Sequence, residues 1–314
     1  MTTTVAAPVI TAKERPGDRV FSTLTVVASS LILAVLAAVA IFLVAQSMPA
    51  FVAESDDFKG DATNFWSYVT PLVFGTIWSA ALAMIIAVPL AMGVALFITH
   101  FAPRRIAQGL GYVVDLLAAV PSVVFGLWGI GVLAPAVQPF YSSLTEWFGW
   151  FPLFAGPVSG TGRTILTVAI VLAVMVLPII TAISREVFLQ TPRLHEEAAL
   201  ALGATRWEMI RMAVLPFGRP GVISGAMLGL GRALGETMAV AMVLSPATII
   251  SFALVQSQNP TTIAANIALN FPEAHDVGVN ILIATGLILF VITLGVNSIA
   301  RYIVGRRKAF SGAN

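Results

Sequence analysis

The sequence has no cysteine, three histidines and little charge, and each shortage excludes a class of function. Without cysteine the chain forms no disulfides, no thiolate metal sites and no thiol-based catalytic centre. Three scattered histidines give little support to a metal site built from protein ligands. Charged residues make up 10% of the chain, against about 25% in soluble domains, and mean hydropathy is +0.93. The composition therefore predicts an integral membrane protein.

Patterns typical of enzymes and nucleic-acid-binding proteins are also missing. No histidine or carboxylate stands near a serine or threonine as a plausible activated pair. The phosphate-binding pattern Gly-x-x-x-x-Gly-Lys-Ser/Thr does not occur, and no basic face indicates a nucleic-acid partner. We therefore expect no enzyme activity and no cofactor in this chain, so transport driven by ATP would need a separate ATPase chain.

Six apolar runs are long enough to cross a lipid bilayer at ~1.5 Å per residue. We expect an all-α, polytopic membrane protein with spans at Leu24–Ala45, Pro71–Thr99, Gly111–Val137, Ile165–Phe188, Gly221–Leu244 and Gly278–Val304. The first run is longer than the apolar region of a signal peptide, and no convincing cleavage site follows it. A retained span is therefore favoured.

These runs divide the chain into regions. We expect a polar tail at 1–20, a first membrane helix at 21–46, a polar loop at 47–69, five further spans within 70–304 and a second tail at 305–314. Polar or aromatic loops are predicted at 138–164 and 245–277. The aromatic residues of the first of these loops are typical of the membrane–water boundary.

Residues 185–219, called here the charged segment, interrupt the apolar runs with five arginines and four glutamates. Apolar residues within the segment still recur at helical spacing, and Gly203 separates two such stretches. Pro192 and Pro216 bound them. The pattern predicts two short amphipathic helices outside the bilayer, joined at a glycine and suited to docking a soluble partner.

Basic residues are distributed unequally between the two sides of the predicted membrane. Of the seventeen Lys and Arg residues, Lys59 and Arg163 fall in loops on one side and Arg232 falls inside a span. The other fourteen fall on the opposite side, together with the charged segment. The positive-inside rule therefore predicts that both termini and the charged segment are cytosolic.

Arg232 and Glu236 lie near the middle of the predicted fifth span, four residues apart and so on one helical face. A charge at this depth costs at least ~2.5 kcal/mol and normally faces protein or water. The two residues form either a structural ion pair or a polar point on a solute pathway, where arginine suits an oxyanion.

Smaller features indicate structural roles. Gly221, Gly225 and Gly229, and again Gly231 and Gly235, repeat at intervals of four and predict close approach of another helix. Asp115 is predicted to lie in the first turn of the third span, where a carboxylate complements the helix dipole. No internal repeat supports an inverted-repeat carrier.

The charged segment resembles the cytosolic EAA loop of ABC-importer permeases. Glu197, Ala198, Ala199, Gly203, Leu215 and Pro216 fall at the spacings of that motif, while Ala213 replaces its isoleucine. The resemblance implies that residues 194–204, including Glu196, form a coupling helix in a groove of a nucleotide-binding subunit.

A second resemblance narrows the family. GRALGETMAVAMV at 231–243 and AAVPSVVFGLWGIGVLAP at 118–135 resemble permeases of phosphate-specific importers of the PstC type. That resemblance implies a type I ABC-importer permease fold in the bacterial inner membrane. It also implies a related PstA-type permease, two PstB-type ATPases that carry ATP and Mg²⁺, and a PstS-type phosphate-binding protein. Arg232 and Glu236 match residues implicated in transport in that family.

Two other classes remain open from the sequence. A permease for another oxyanion, such as molybdate or sulfate, would share the EAA-like loop but is expected to lack the GRALGET run. A stand-alone channel or secondary carrier would need no ATPase, and would leave the charged segment without a role.

Overall fold

The computed structural model describes residues 15–58, 60 and 62–307. The predicted tails at 1–14 and 308–314, as well as Lys59 and Asp61, lie outside the described residues. Within the described part there are twelve α-helices: α1 Pro16–Ser47, α2 Phe65–Leu96, α3 Arg104–Ala118, α4 Ser122–Trp128, α5 Ala134–Phe148, α6 Ile165–Leu189, α7 Arg193–Ala201, α8 Arg206–Met209, α9 Leu215–Leu234, α10 Met238–Val243, α11 Ile263–Asn270 and α12 Val277–Arg307.

The elements between these helices are short. Three π-helical turns, at Phe97–Phe101, Gly129–Leu133 and Ile210–Val214, follow or join helices, and three single 3₁₀ turns occupy Met48–Phe51, Ser55–Asp57 and Phe271–Glu273. Two two-residue strands, β1 Pro246–Ala247 and β2 Asn259–Pro260, pair in parallel with Pro246 opposite Asn259. The chain divides after Gln46 into two compact units, and the second unit contains the core and the candidate site described below.

Six stretches of the described chain are long and apolar enough to cross a membrane, which agrees with the predicted number: Pro16–Phe51, Phe65–Phe101, Ser122–Phe148, Ile165–Leu189, Arg206–Leu234 and Val277–Tyr302. The helix of the first span begins at Pro16, inside the predicted tail. The last helix runs to Arg307, into the predicted second tail.

The predicted position of the third span is wrong. The run at 111–137 crosses a break at residues 119–121, because Pro121 begins α4 and contributes no N–H to a continuing helix. The candidate span runs over Ser122–Phe148, so the first part of the predicted loop at 138–164 is helical. Asp115 consequently lies in the last turn of α3 rather than in a first turn, and its Oδ2 is 3.6 Å from Nη2 of Arg185.

The core forms where α2, α6 and α9 pack together. Alanines on α2 and β-branched and larger side chains on α6 are almost fully buried in one cluster, including Ala83, Ala87, Val176 and Ile180. Small residues on α2 allow α6 to approach closely, and the branched side chains fill the remaining space. This cluster holds the helices that carry the candidate site.

Glycines bring α9 against α6. A Cβ atom added at Gly225 or Gly229 would lie 3.1 or 2.9 Å from isoleucine side chains of α6, and one at Gly221 would overlap Val187. The predicted glycine face is confirmed at these three positions. It is wrong at Gly231, which meets nothing within 4 Å, and at Gly235, which meets only the carbonyl oxygen of Gly231.

Candidate functional site

The predicted fifth span is interrupted within the GRALGET run. Helix α9 ends at Leu234, Gly235 follows outside the helical conformation, and α10 begins at Met238. The helix that contains the fifth span also begins earlier in the sequence than predicted. It is continuous from α8 through the π-helical turn Ile210–Val214 into α9, so Pro216 lies within the helix, just after the π-helical turn, and does not end it.

Arg232 lies in the last turn of α9 and lines an open cleft of about 450 Å³ between α6, α9 and α12. The other polar side chains of this cleft are Ser224, two turns earlier on α9, and Asn297 on α12. Within the described residues the guanidinium group has no ion-pair or hydrogen-bond partner. The cleft therefore presents a cation and two neutral hydrogen-bonding side chains among apolar walls, a set that suits an oxyanion.

Glu236 does not share a helical face with Arg232, and that prediction is wrong because α9 ends between the two residues. Its side chain is buried, with 7% of the residue exposed. Its Oε1 accepts a hydrogen bond from the backbone N–H of Ala239 at 3.1 Å, which places the carboxylate at the first turn of α10. Glu236 thus caps the helix that follows the break and complements its dipole.

Arg163, counted in the sequence only as a loop charge, binds the other end of α10. Its guanidinium group donates to the carbonyl oxygens of Met242, Val243 and Leu244 at 3.3, 3.3 and 3.0 Å. These carbonyls have no partner within a helix that ends there, so the guanidinium group satisfies them. Sequence spacing could not have found this contact, since about 80 residues separate donor and acceptors.

The two stretches that resemble the phosphate-permease family, 118–135 and 231–243, contact each other, because the first packs against α10 of the second. A Cβ atom added at Gly126 of α4 would lie 3.0 Å from Cα of Ala239, and one at Gly129 would lie 2.7 Å from Val243. Gly126 of α4 and Gly129 of the following π-helical turn therefore allow α10 to approach this part of the chain closely. The residues 118–135 and 231–243, remote in the sequence, form one packed site.

The first half of the charged segment has the predicted local structure, whereas the second half forms no separate short helix, because α8 continues into α9. Pro192 precedes α7, and Gly203 has φ +87°, a left-handed conformation that glycine adopts without strain. Thr205 then caps α8, and the Glu208 carboxylate accepts from the backbone N–H of Thr205 at 2.8 Å, forming a capping box.

One face of the charged segment packs on the chain and the other does not. Ala199 contacts a buried cluster that includes Phe188 and Met209. By contrast, the apolar residues Leu194 and Leu202 are 73% and 90% exposed, and Glu197 and Ala198 are also exposed or half-exposed. The apolar residues of the first stretch therefore point away from the protein, whereas Ile210 and Val214 of the second stretch are buried.

Glu196 contacts the end of the second span. Its Oε1 is 3.6 Å from Nε2 of His100, which lies in the π-helical turn that follows α2. His100 was not singled out from the sequence, where it appears as an isolated residue in a short basic turn. The contact joins α7 to a helix that packs along α6.

Several apolar spans, a polar cleft that contains a cation, and an exposed charged segment between two spans together define a membrane transport subunit. Residues 87–309 match the family described as "Binding-protein-dependent transport system inner membrane component". The chain belongs to this family, so it is a multi-pass membrane protein and a transport component rather than an ATPase.

Curated relatives are similar over most of their length. The chain is 46% identical over 302 residues to phosphate transport system permease protein PstC 2 of Mycobacterium tuberculosis, covering 93% of each chain. It is 46% identical over 279 residues to PstC of Mycobacterium leprae, covering 85% of this chain and 87% of that one. It is 42% identical over 308 residues to PstC of Mesorhizobium japonicum, covering 94% and 92%.

Solved structures share the fold at low sequence identity. A bacterial alginate ABC transporter, in complex with an alginate pentasaccharide-bound periplasmic protein, aligns with a TM-score of 0.60 at 16% identity, covering 93% of this chain and 98% of that one. The MetNI methionine ABC transporter in an inward-facing conformation aligns with a TM-score of 0.51 at 14% identity, covering 76% and 94%. The chain therefore has the fold of ABC-importer permeases.

Proposed function

We propose that this chain is the membrane permease subunit of an ATP-driven importer that moves inorganic phosphate into the cell. The similarity of the whole chain to proteins named phosphate transport system permeases supports the substrate. The observation that carries the proposal is the cleft, in which the Arg232 guanidinium group has no partner within the described residues.

The proposed solute path runs along the cleft between α6, α9 and α12. Arg232 offsets the charge of phosphate, and Ser224 and Asn297 supply neutral hydrogen bonds. Because the cleft is open on one side, a related second permease completes the path in this proposal. Glu236 acts on the path indirectly, by fixing the start of α10.

The charged segment is the proposed site of coupling to two ATPase subunits, which bind ATP and Mg²⁺. Both termini and this segment are cytosolic in the proposal, in line with the distribution of Lys and Arg. The residues Glu197, Ala198, Leu194 and Leu202 form the contact, and Gly203 permits the turn that presents them. An external phosphate-binding protein delivers the solute to the opposite face.

Replacing Arg232 tests the path. Arg232→Ala in the assembled importer is expected to lower phosphate uptake about 10- to 100-fold, because a charge-assisted hydrogen bond contributes ~1.5–3 kcal/mol. Arg232→Lys keeps the charge but loses the planar fork, so it is expected to retain part of the uptake. Arg105→Gln is the matched control and should transport normally, because it removes an exposed cation that does not line the cleft.

The uptake results for the Arg232 variants are interpreted together with a competition assay that uses unlabelled anions. Excess unlabelled phosphate should suppress uptake, whereas sulfate and molybdate should not. Suppression by sulfate or molybdate instead would assign the chain to another oxyanion. Normal uptake by Arg232→Ala would remove Arg232 from the path, and uptake without any ATPase chain would indicate a stand-alone carrier.

A further inference from the structure

The short helix α10 is held at both ends by charged side chains of opposite sign. Glu236 binds the N–H of Ala239 at its first turn, and Arg163 donates three hydrogen bonds to the carbonyls at its end. Each charge is placed where the helix dipole favours it. A six-residue helix is too short to be stable alone, so these contacts and its packing must hold it in place.

The backbone at Arg163 is held in place by hydrogen bonds with Asn259. Its carbonyl oxygen accepts from Nδ2 of the fully buried Asn259 at 3.4 Å, and the Oδ1 of Asn259 accepts from the N–H of Ile165 at 3.0 Å. Thr164, the next residue, caps α6. The guanidinium group therefore ties the start of α6 to the end of α10.

The position of α10 also determines the break that precedes it. Residues 235–237 connect α10 to the last turn of α9, where Arg232 lines the cleft. A shift at the end of α10 changes its contacts with α4 and with the π-helical turn that follows α4, because Gly126 and Gly129 pack tightly against α10 there. The same shift moves the cap at Glu236 and the connection to Arg232.

We propose that Arg163 is a positioning residue for transport, which holds α10 from its C-terminal end and thereby keeps the break at 235–237 in the arrangement that transport requires. This inference rests on the proposed function for the choice of solute and for the external binding protein. Arg163 touches no solute in the proposal. Its removal should therefore slow the transport step and leave capture of the solute, which is done by the external binding protein, unchanged.

The first experiment measures phosphate uptake per assembled importer. Arg163→Gln is expected to lower the maximal rate at least tenfold with KM within twofold of the parent. Arg163→Lys, which retains a cation and some donors, is expected to recover at least a third of the rate. Arg105→Gln is the matched control. An unchanged rate in Arg163→Gln, or a raised KM with an unchanged rate, would overturn the proposal.

The second experiment follows α10 directly and needs no solute. Because the chain has no cysteine, Val243→Cys introduces a single thiol at a fully buried position of α10. Its labelling by a small thiol reagent should be at least tenfold faster with Arg163→Gln than without it, and intermediate with Arg163→Lys. Val168→Cys, buried on α6, should stay protected in every background.

The two readouts separate the failure of this inference from the failure of the proposed function. If the parent importer moves no phosphate, the solute assignment fails, while labelling of Val243→Cys still tests the role of Arg163. Equal protection of Val243→Cys with and without the Arg163→Gln substitution contradicts the inference whatever the transport result. Loss of the assembled importer in both Arg163→Gln and Arg163→Lys also contradicts it, since the role would then be general folding.

Discussion

Two regions of the molecule differ in the origin of their packing partners. One is the crossing of α6 and α9, and the other is the charged segment. At the crossing, Gly221, Gly225 and Gly229 of α9 lie against side chains of α6, so these contacts are made within the chain. In the charged segment, Leu194 and Leu202 extend outward and are mostly exposed. The first region is completed by this sequence alone, whereas the second exposes the kind of surface that another protein covers.

The largest expected effect comes from overfilling the crossing. In Gly221→Val the added atoms would overlap Val187, and overpacking of this kind costs about 1–3 kcal/mol or more. We expect the amount of folded protein in the membrane to fall at least about tenfold, measured by detergent extraction and size-exclusion chromatography.

Gly93→Val is the control for that substitution. Gly93 lies within α2 and has no atom within 4 Å of an added Cβ, so the same residue change meets no steric conflict there. Folded protein in this variant should equal the parent. Equal amounts of the Gly93 and Gly221 variants would show that the crossing is looser than its geometry indicates.

The sequence predicted the crossing well and the break in the fifth span poorly, for physical reasons. A glycine every fourth residue follows from helix periodicity, so the packed face of α9 could be read directly at Gly221, Gly225 and Gly229. The GRALGET run continues that periodicity without a proline. Gly235 follows the last residue of α9, but the same spacing of glycines also occurs inside α9, so this glycine alone did not mark the end of the helix.

The break depends instead on contacts made across the fold. Arg163 binds the end of α10 from a loop far earlier in the chain, and α10 packs against Gly126 of α4 and Gly129 of the next π-helical turn. The cleft has the same origin, because Asn297 of α12 joins Ser224 and Arg232 only after the helices assemble. The charged residues could be identified from the sequence, but their partners could not.

An intermediate effect is expected where the partner belongs to another chain. Leu202→Asp changes a side chain that is 90% exposed, so it should alter the stability of the isolated chain by less than about 0.5 kcal/mol. In the proposed contact with an ATPase it buries an unpaired charge. We expect co-purification of the ATPase to fall about five- to tenfold, which corresponds to ~1–1.4 kcal/mol.

Val52→Asp is the control, since Val52 is 82% exposed and lies just after the 3₁₀ turn at 48–51, outside the charged segment. ATPase recovery with this variant should match the parent. If Leu202→Asp retained the ATPase to the same extent, the exposed stripe of α7 would not be the coupling surface. The proposed difference between the crossing, whose contacts lie within the chain, and the charged segment, whose partner is another chain, would then be wrong.

The smallest effect is expected at the contact that joins the charged segment to the end of the second span. His100 and Glu196 are 3.6 Å apart, and both are partly shielded from solvent. Contacts of this kind contribute ~0–1 kcal/mol, so His100→Ala should lower the transport rate by no more than about fivefold. The measurement is phosphate uptake together with ATP hydrolysis in the assembled importer, since weaker attachment of α7 should reduce phosphate moved per ATP.

Two further variants decide whether this contact transmits motion or only adds stability. His100→Gln keeps a donor near Glu196 and should restore the parent ratio of transport to hydrolysis, whereas a merely stabilising role would change protein amount and leave the ratio constant. His275→Ala, at an exposed histidine before α12, should change neither. A parent-like ratio in His100→Ala would mean that α7 acts on α2 through the apolar cluster around Ala199 rather than through Glu196. That cluster also contains Leu96, at the end of α2.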